Sequence, residues 1–281
     1  MLNITSTNCA IGAVATGIDL SNSLNDATFA AIETAFNEHQ VLCIRDQSLT
    51  PPQFIDFARR FGAVTELFLN HYAHPDYPEI ARISNIQENG KALGHADAGR
   101  VWHTDMSYLA DPPRATLLYA LEVPMENGVP LGDTEFASAT LAYDTLSRDE
   151  KDRIDALRAI HDVFGRRGLT GISEQDQTMR QAQTKVVHPV VRVHPITGRK
   201  SIYVSEGECI GIEGMAGDDA LSLIADLAQS IPQSKHRYRH VWRPGDILIW
   251  DNCAVQHIAT FDYEWPRHRR SMQRITVGTQ T

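Results

Sequence analysis

Short extended segments bounded by turn residues are the feature that most constrains the fold of this chain. They are rich in β-branched and aromatic residues, and they cover residues 41–46, 114–123, 185–195, 200–206, 237–252 and 271–278. Helical patterns lie in groups between them and do not alternate with them one by one, as they would in a doubly wound parallel sheet. The pattern therefore predicts an antiparallel sheet or barrel that packs against helices.

Four helices are predicted from their capping residues and apolar spacing: 25–39, 50–62, 147–165 and 217–229. In the second, Thr50 and Gln53 have the spacing of a capping box. Ser147 and Glu150 repeat that spacing in the third, which Gly165 is expected to end.

The charge balance and the cysteines limit the partners and the compartment. Lys and Arg number 26 and Asp and Glu 35, so the net charge of −9 argues against nucleic acid or an anionic membrane as the main partner. The four cysteines lie far apart without a C-x-x-C pair, which predicts reduced thiols. No secretory signal is evident, and no stretch approaches the roughly 18 apolar residues of a membrane span. We therefore expect one cytoplasmic domain over residues 1–281 that acts on a small molecule.

The segment W-H-T-D at 102–105 carries the first candidate metal ligands. If it is extended, His103 and Asp105 lie on one face, although such a pair is also common as an ordinary hydrogen-bonded one. His257 could supply a third ligand. Two imidazoles and one carboxylate with open positions suit a non-haem Fe(II) oxygenase, whereas closed structural zinc sites use four protein ligands.

The last predicted strand brings two arginines to one face. Arg270 and Arg274 would lie about 13 Å apart along the same side of this strand. Guanidinium groups bind carboxylates through paired hydrogen bonds, so two anion-binding positions on one pocket wall are expected. Arg267 and Arg269 are interpreted as solvated.

Several motifs in a fixed order together resemble a known family: W-H-T-D at 102–105, L-G-D-T-E-F at 131–136, W-D-N…Q-H at 250–257, D-Y at 262–263 and R-R-S-M-Q-R-I-T at 269–276. The chain is similar along nearly its whole length to the family of taurine dioxygenase (TauD) and 2,4-dichlorophenoxyacetate dioxygenase (TfdA). The resemblance implies a mixed α and β fold with a mainly β core. This core would be a double-stranded β-helix, or jelly roll, with flanking helices and a lid loop.

The resemblance also implies the cofactors. Members of this family use Fe(II), 2-oxoglutarate as cosubstrate and O2, so His103, Asp105 and His257 would bind iron. Thr134 would hydrogen-bond the cosubstrate, and Arg274 would pair with its far carboxylate. Arg270 matches a family arginine near an anionic group of cosubstrate or substrate. Its role is less defined, because the spacing from His257 to both arginines is about two residues longer than in the taurine enzyme.

The substrate region is less specific. Asn70, His71 and Tyr72 precede the metal motif in a region that supplies substrate contacts in family members. The Gly- and Ala-containing segment 84–102 is expected to form a lid that excludes water.

The implied reaction is hydroxylation of a small carboxylate or sulfonate with release of succinate and CO2. Asp at position 105 leaves no coordination position for a halide, which disfavours halogenation. Two alternatives remain: a zinc or manganese hydrolase or isomerase with the same open site, and a non-catalytic binding protein. The pairing of Thr134 with Arg274 argues against a hydrolase, which needs no cosubstrate clamp. A homo-oligomer is compatible with the sequence.

Overall fold

The computed structural model describes residues 1–65, 72–163, 165 and 185–278. The α-helices in this part of the chain are α1 (Asp26–His39), α2 (Pro51–Arg59), α3 (Ala139–Asp144), α4 (Arg148–Ile154) and α5 (Gly217–Ser230). A short 3-10 helix covers Ser234–His236. None of these helices is long and apolar enough to cross a membrane.

The strands build two main sheets and several small ones. In chain order they are β1 (Asn3–Ser6), β2 (Ala13–Thr16), β3 (Val41–Ile44), β4 (Ala81–Ser84), β5 (Gln87–Glu88), β6 (Lys91–Ala92), β7 (Ala115–Glu122), β8 (Met125–Glu126), β9 (Val129–Pro130), β10 (Thr134–Ser138), β11 (Arg158–His161), β12 (Val186–Pro189), β13 (Val191–Val193), β14 (Lys200–Ile202), β15 (Cys209–Ile212), β16 (Arg237–His240), β17 (Ile247–Asp251), β18 (Val255–Ala259) and β19 (Ser271–Val277). The larger sheet has the order β1-β2-β3-β17-β7-β19-β4. Its pairs are antiparallel except β2 with β3. The second sheet has the order β16-β10-β18.

An apolar layer joins these two sheets. The larger sheet contributes Leu118, Leu248 and Met272, and the second sheet contributes Phe136 and Val255. Side chains alternate between the faces of a strand, so each sheet turns one face toward the other. This arrangement agrees with the predicted antiparallel, jelly-roll core.

The opposite face of the larger sheet packs against α1 and α2. The Phe61 ring lies at the centre of this second layer, in edge contact with Phe29, Phe36 and Phe57 at ring-centroid distances of 5.0, 5.6 and 5.5 Å. Edge-to-face aromatic pairs add to the stabilisation that burial provides. The ring is thus the packing centre that holds both helices on the sheet.

Replacing Phe61 by alanine is expected to lower the free energy of unfolding by about 3–5 kcal/mol, because it leaves a cavity in this layer. Urea denaturation measures the effect. Val129→Ala is the matched control, since Val129 is 60% exposed. Equal urea midpoints for Phe61→Ala and Val129→Ala would contradict the conclusion that the Phe61 ring is the packing centre of this layer.

The prediction of a helix over 147–165 is wrong in its second half. Ser147 does cap α4, but the helix ends at Ile154 and residues 158–161 form β11. Ala159 and His161 are buried while Arg158 is exposed, which is the period of a strand. Pairing with β12 and β15 on both sides therefore overrides the local helical pattern.

The other predicted elements agree with the structure. Helices 25–39, 50–62 and 217–229 correspond to α1, α2 and α5. Two of the predicted strands are divided: 185–195 between β12 and β13, and 237–252 at a turn that contains Gly245. Gly245 has a φ of +87°, and a Cβ there would lie 2.9 Å from the Gln47 carbonyl oxygen.

A single domain over residues 1–281 stays a prediction.

Candidate active site

Two histidines face each other across a backbone bridge at one end of the space between the sheets. The His103 N–H donates to the His257 carbonyl at 3.2 Å, and the His257 N–H donates to the His103 carbonyl at 2.9 Å. Residues paired in this way carry their side chains on the same side. The two ring centroids are accordingly only 4.2 Å apart.

The His103 ring is fixed by its own backbone. Its Nδ1 lies 2.8 Å from the Val101 carbonyl oxygen, which can only accept a hydrogen bond. Nδ1 therefore carries a proton, and in the neutral ring Nε2 offers its lone pair to a metal. A metal-binding histidine typically has this arrangement, with the second nitrogen donating to a carbonyl or carboxylate.

The Asp105 carboxylate completes the group. Its Oδ1 lies 3.8 Å from His103 Nε2 and 4.0 Å from His257 Nε2. Its Oδ2 accepts a hydrogen bond of 2.6 Å from the Thr116 hydroxyl. One carboxylate oxygen is therefore bound by the protein, and the other faces both imidazoles.

The charges around Asp105 keep it ionised. Burial raises its pKa, but His257, Arg274 and His103, together with the Thr116 hydrogen bond, outweigh burial and lower the pKa to about 2. A carboxylate in this state is a ready metal ligand.

The donor set fits one divalent first-row metal ion. With ligand bonds of about 2.1 Å, two donors on one side of an ion lie about 3 Å apart. The measured carboxylate-to-imidazole distances of 3.8 and 4.0 Å are within about 1 Å of this separation, which side-chain rotation can close. Two imidazoles and one carboxylate on one side leave the other coordination positions open, as in non-haem Fe(II) oxygenases. His103, Asp105 and His257 are brought together as the sequence predicted.

Two further groups of buried ligand-type side chains have protein partners instead. In the group of Cys43, His240 and Asp246, the carboxylate is bound by the Arg45 guanidinium at 2.5 Å. In the group of His194, Asp251 and Cys253, the His194 Nε2 lies 2.7 Å from Asp251 Oδ2, and its Nδ1 accepts backbone N–H groups of residues 196 and 197. In the first group the Arg45 cation already binds the carboxylate, and in the second both ring nitrogens of His194 are hydrogen-bonded. We therefore interpret both groups as structural.

The two arginines of the last strand lie at different depths. The Arg274 Nη1 is 3.6 Å from Asp105 Oδ1, and its side chain is partly exposed. Arg270 directly precedes β19 and is 5% exposed. Within the described residues no carboxylate lies in salt-bridge distance of Arg270, and its Nε has no hydrogen-bond partner.

An aromatic ring and a glycine turn surround Arg270. Burial lowers the pKa of its guanidinium, and the nearby Tyr263 hydroxyl partly offsets that effect. The Gly132 N–H donates to Asp262 Oδ1 at 2.7 Å. A Cβ on Gly132, whose φ is +74°, would lie 2.8 Å from the Tyr263 ring and 3.5 Å from Arg270 Nε. Glycine is therefore needed where the turn before β10 approaches Tyr263.

Thr134 faces the interior on the side of the metal ligands. It lies two residues before Phe136 on β10, so both side chains point to the same face. The Phe136 ring stacks on His257 at a centroid distance of 5.9 Å. The Thr134 hydroxyl accepts a hydrogen bond of 3.1 Å from the Trp242 indole N–H and has its proton left to donate.

The substrate residues predicted from the sequence are only partly visible. Asn70 and His71 lie outside the described residues. Tyr72 stacks on His95, with ring centroids 5.0 Å apart and planes within 7°. The segment 84–102, predicted as a lid, contains the β5-β6 hairpin, and its Gly99 carbonyl accepts the Ala259 N–H at 2.8 Å. Its opening and closing stay a prediction.

Sequence reasoning missed Thr116 and the role of Asn252. Thr116 lies in an apolar strand, where a single threonine carries no functional signal. Asn252 is part of the quoted W-D-N motif, but the motif does not say which of its polar groups would be used.

Comparison with known proteins decides the family. The sequence model of the protein family "Taurine catabolism dioxygenase TauD, TfdA family" matches residues 3–276 of this chain. The chain belongs to the TauD/TfdA family. The sequence-based assignment is thereby confirmed.

Individual relatives agree with this assignment. The chain is 34% identical to the alpha-ketoglutarate-dependent 2,4-dichlorophenoxyacetate dioxygenase of Cupriavidus pinatubonensis, with 92% of each chain covered. It is 31% identical to pentalenolactone F synthase of Streptomyces arenae, with 94% of this chain and 91% of the relative covered. Its fold matches that of AAD-2 in complex with Mn(II) and N-oxalylglycine, with a TM-score of 0.83, 27% identity and coverage of 100% and 98%.

The family assignment confirms two predictions. The fold class is that of TauD-like dioxygenases with a jelly-roll core. The enzyme class is a non-haem iron, 2-oxoglutarate-dependent dioxygenase. The open His/Asp/His group is the part of this chain that suits those cofactors.

Proposed function

We propose that this TauD/TfdA dioxygenase hydroxylates a small anionic organic substrate and releases succinate and CO2. The observation that carries the proposal is the open His/Asp/His group with two arginines near it. Arg274 is partly exposed beside the group, and Arg270 is buried with no carboxylate in salt-bridge distance among the described residues. A hydrolase on the same scaffold would need the metal but no second cationic position.

We infer that the two arginines bind different anionic groups. Arg270, with Thr134, is suited to hold the far carboxylate of 2-oxoglutarate. Its guanidinium is buried and has no carboxylate in salt-bridge distance within the part of the chain that the structure describes, so an anion would stabilise it. Arg274 lies beside Asp105 and is suited to an anionic group close to the metal. The family resemblance assigned the far carboxylate to Arg274, and the contacts favour Arg270 instead.

The protein groups mainly bind and orient. His103, Asp105 and His257 would hold Fe(II), which would activate O2 with electrons supplied by the oxidation of 2-oxoglutarate to succinate and CO2. Thr134 has a hydroxyl proton to donate to the cosubstrate, since the Trp242 indole already donates to its oxygen. Phe136 packs on one side of His257 and keeps water from that face.

An anionic substrate is supported by the charge of the site. Arg274 is partly exposed, so its guanidinium can contact a second anion from the open side. A carboxylate or sulfonate has the geometry for paired hydrogen bonds with it. The relative named for 2,4-dichlorophenoxyacetate acts on a carboxylate of this kind. Tyr72, with Asn70 and His71, stays a proposed substrate contact.

Loading the protein with Fe(II) and adding 2-oxoglutarate without oxygen is expected to give a weak visible absorption band, because 2-oxoglutarate then binds the same iron ion that the protein holds. The band should be absent from a His103→Ala variant prepared in the same way. A protein that binds iron but gives no band would contradict the proposed cosubstrate. A hydrolase or isomerase would give that result.

A substrate screen follows the same logic. Succinate formation coupled to loss of substrate would be measured for aryloxyacetates, sulfonates and amino-acid derivatives, each beside its uncharged amide analogue. Acids should be consumed and amides should not. Equal turnover of an acid and its amide would remove the case for an anion-binding Arg274. A cytoplasmic location and a homo-oligomer stay predictions.

A further inference from the structure

A second layer of hydrogen bonds lies behind the metal ligands. Asp105 is 4% exposed, and its Oδ2 accepts the Thr116 hydroxyl at 2.6 Å. Oδ1, the other oxygen, is the atom closest to His103, His257 and Arg274. The hydroxyl therefore decides which oxygen of Asp105 faces the site.

The direction of this hydrogen bond is fixed by Asn252. The Asn252 Nδ2 lies 3.0 Å from Thr116 Oγ1, and an amide nitrogen can only donate. The hydroxyl oxygen accepts that bond, so its proton must point to Asp105. The arrangement is a one-way relay from Asn252 through Thr116 to Asp105.

Asn252 is itself held from several sides. Its N–H donates to the Arg114 carbonyl at 2.8 Å, and its own carbonyl accepts the Thr104 hydroxyl at 2.8 Å. Thr104 stands between the two ligands His103 and Asp105. One buried asparagine in the turn between β17 and β18 therefore positions the ligand segment through its backbone and its side chain.

We infer that Thr116 and Asn252 are positioning residues that hold Asp105 as a one-oxygen ligand and keep its second oxygen off the metal. The inference rests on the proposed function. Partners behind metal ligands commonly contribute 10- to 100-fold in metal affinity. The purpose of the relay is to leave coordination positions open for cosubstrate and oxygen.

Thr116→Val keeps the shape of the side chain and removes the hydroxyl. It is expected to weaken Co(II) binding by the apoprotein about 10- to 100-fold, measured by titration with the metal alone. The visible Co(II) spectrum should also change, because a free Oδ2 can enter the coordination sphere. Thr116→Ser retains the hydroxyl and should restore both affinity and spectrum.

The matched control is Thr276→Val. Thr276 lies directly opposite Thr116 on β19, is fully buried, and has no hydrogen-bond partner for its hydroxyl among the described residues. Its variant should bind Co(II) like the wild type. Thermal unfolding of the apoproteins identifies any variant that is not folded during the titration.

The outcomes test the positioning role of Thr116 and the proposed metal site separately. If Thr116→Val binds Co(II) with unchanged affinity and spectrum, or if Thr116→Ser fails to restore them, the relay has no positioning role. If instead the wild type binds no better than His103→Ala, the proposed metal site itself is wrong.

Discussion

Replacing His103 by alanine is expected to remove iron from the protein and to lower activity by more than about 100-fold, beyond the usual range for groups behind the ligands. The His103 Nε2 is one of three donors, and two donors hold a divalent ion far less tightly. Iron content after gel filtration and turnover of 2-oxoglutarate are the two measurements.

His39→Ala is a suitable control for this variant. His39 ends α1 and has no contact with the metal group. It should retain iron and activity. Retention of a full equivalent of iron by His103→Ala would show that the metal lies elsewhere.

The second large effect is expected for Arg270→Leu. Loss of a paired, charge-assisted contact of about 1.5–3 kcal/mol per hydrogen bond should raise the 2-oxoglutarate concentration for half-maximal rate at least about 100-fold. Iron content should stay near the wild-type value, because Arg270 is not a donor. Titration of the absorption band with 2-oxoglutarate measures the affinity directly.

Two neighbouring arginines complete this experiment. Arg269→Leu is the matched control, since Arg269 is exposed and pairs with Glu122 at 2.8 Å, and it should change nothing. Arg274→Leu should raise the substrate requirement more than the cosubstrate requirement. If Arg274→Leu alone raised the cosubstrate requirement, the family-based assignment of the far carboxylate to Arg274 would be right.

The sequence could propose the three metal ligands because two of them are close together in the chain and the third lies in a family motif. The H-x-D spacing of His103 and Asp105 can be read without knowledge of the fold, and the family motifs name His257, although in the structure only His103 is paired as in a strand and Asp105 begins a turn. The helix over 147–165 failed for the opposite reason. Its second half becomes a strand only because β12 and β15 flank it, and these pairings join residues far apart in sequence.

The roles of the two arginines and of Thr116 depend on how deeply each side chain is buried and on its tertiary contacts. The pattern of residues in the sequence contains neither. Arg270 and Arg274 are alike in a strand pattern, yet Arg270 is buried with no carboxylate near it in the described ranges and Arg274 lies beside Asp105. Thr116 looks like any strand threonine until the turn with Asn252 is placed behind it. These distinctions come from burial and tertiary hydrogen bonds.

The backbone bridge between His103 and His257 has a consequence for the synthesis of the chain. The two histidines are 154 positions apart in the sequence, so the bridge is among the slow, long-range contacts of folding. A nascent chain that has exposed only the W-H-T-D segment holds two of the three ligands. We therefore expect tight iron binding only after β18 has been made and has docked. A metal-loaded protein is therefore one in which β18 has docked against the segment that carries His103 and Asp105.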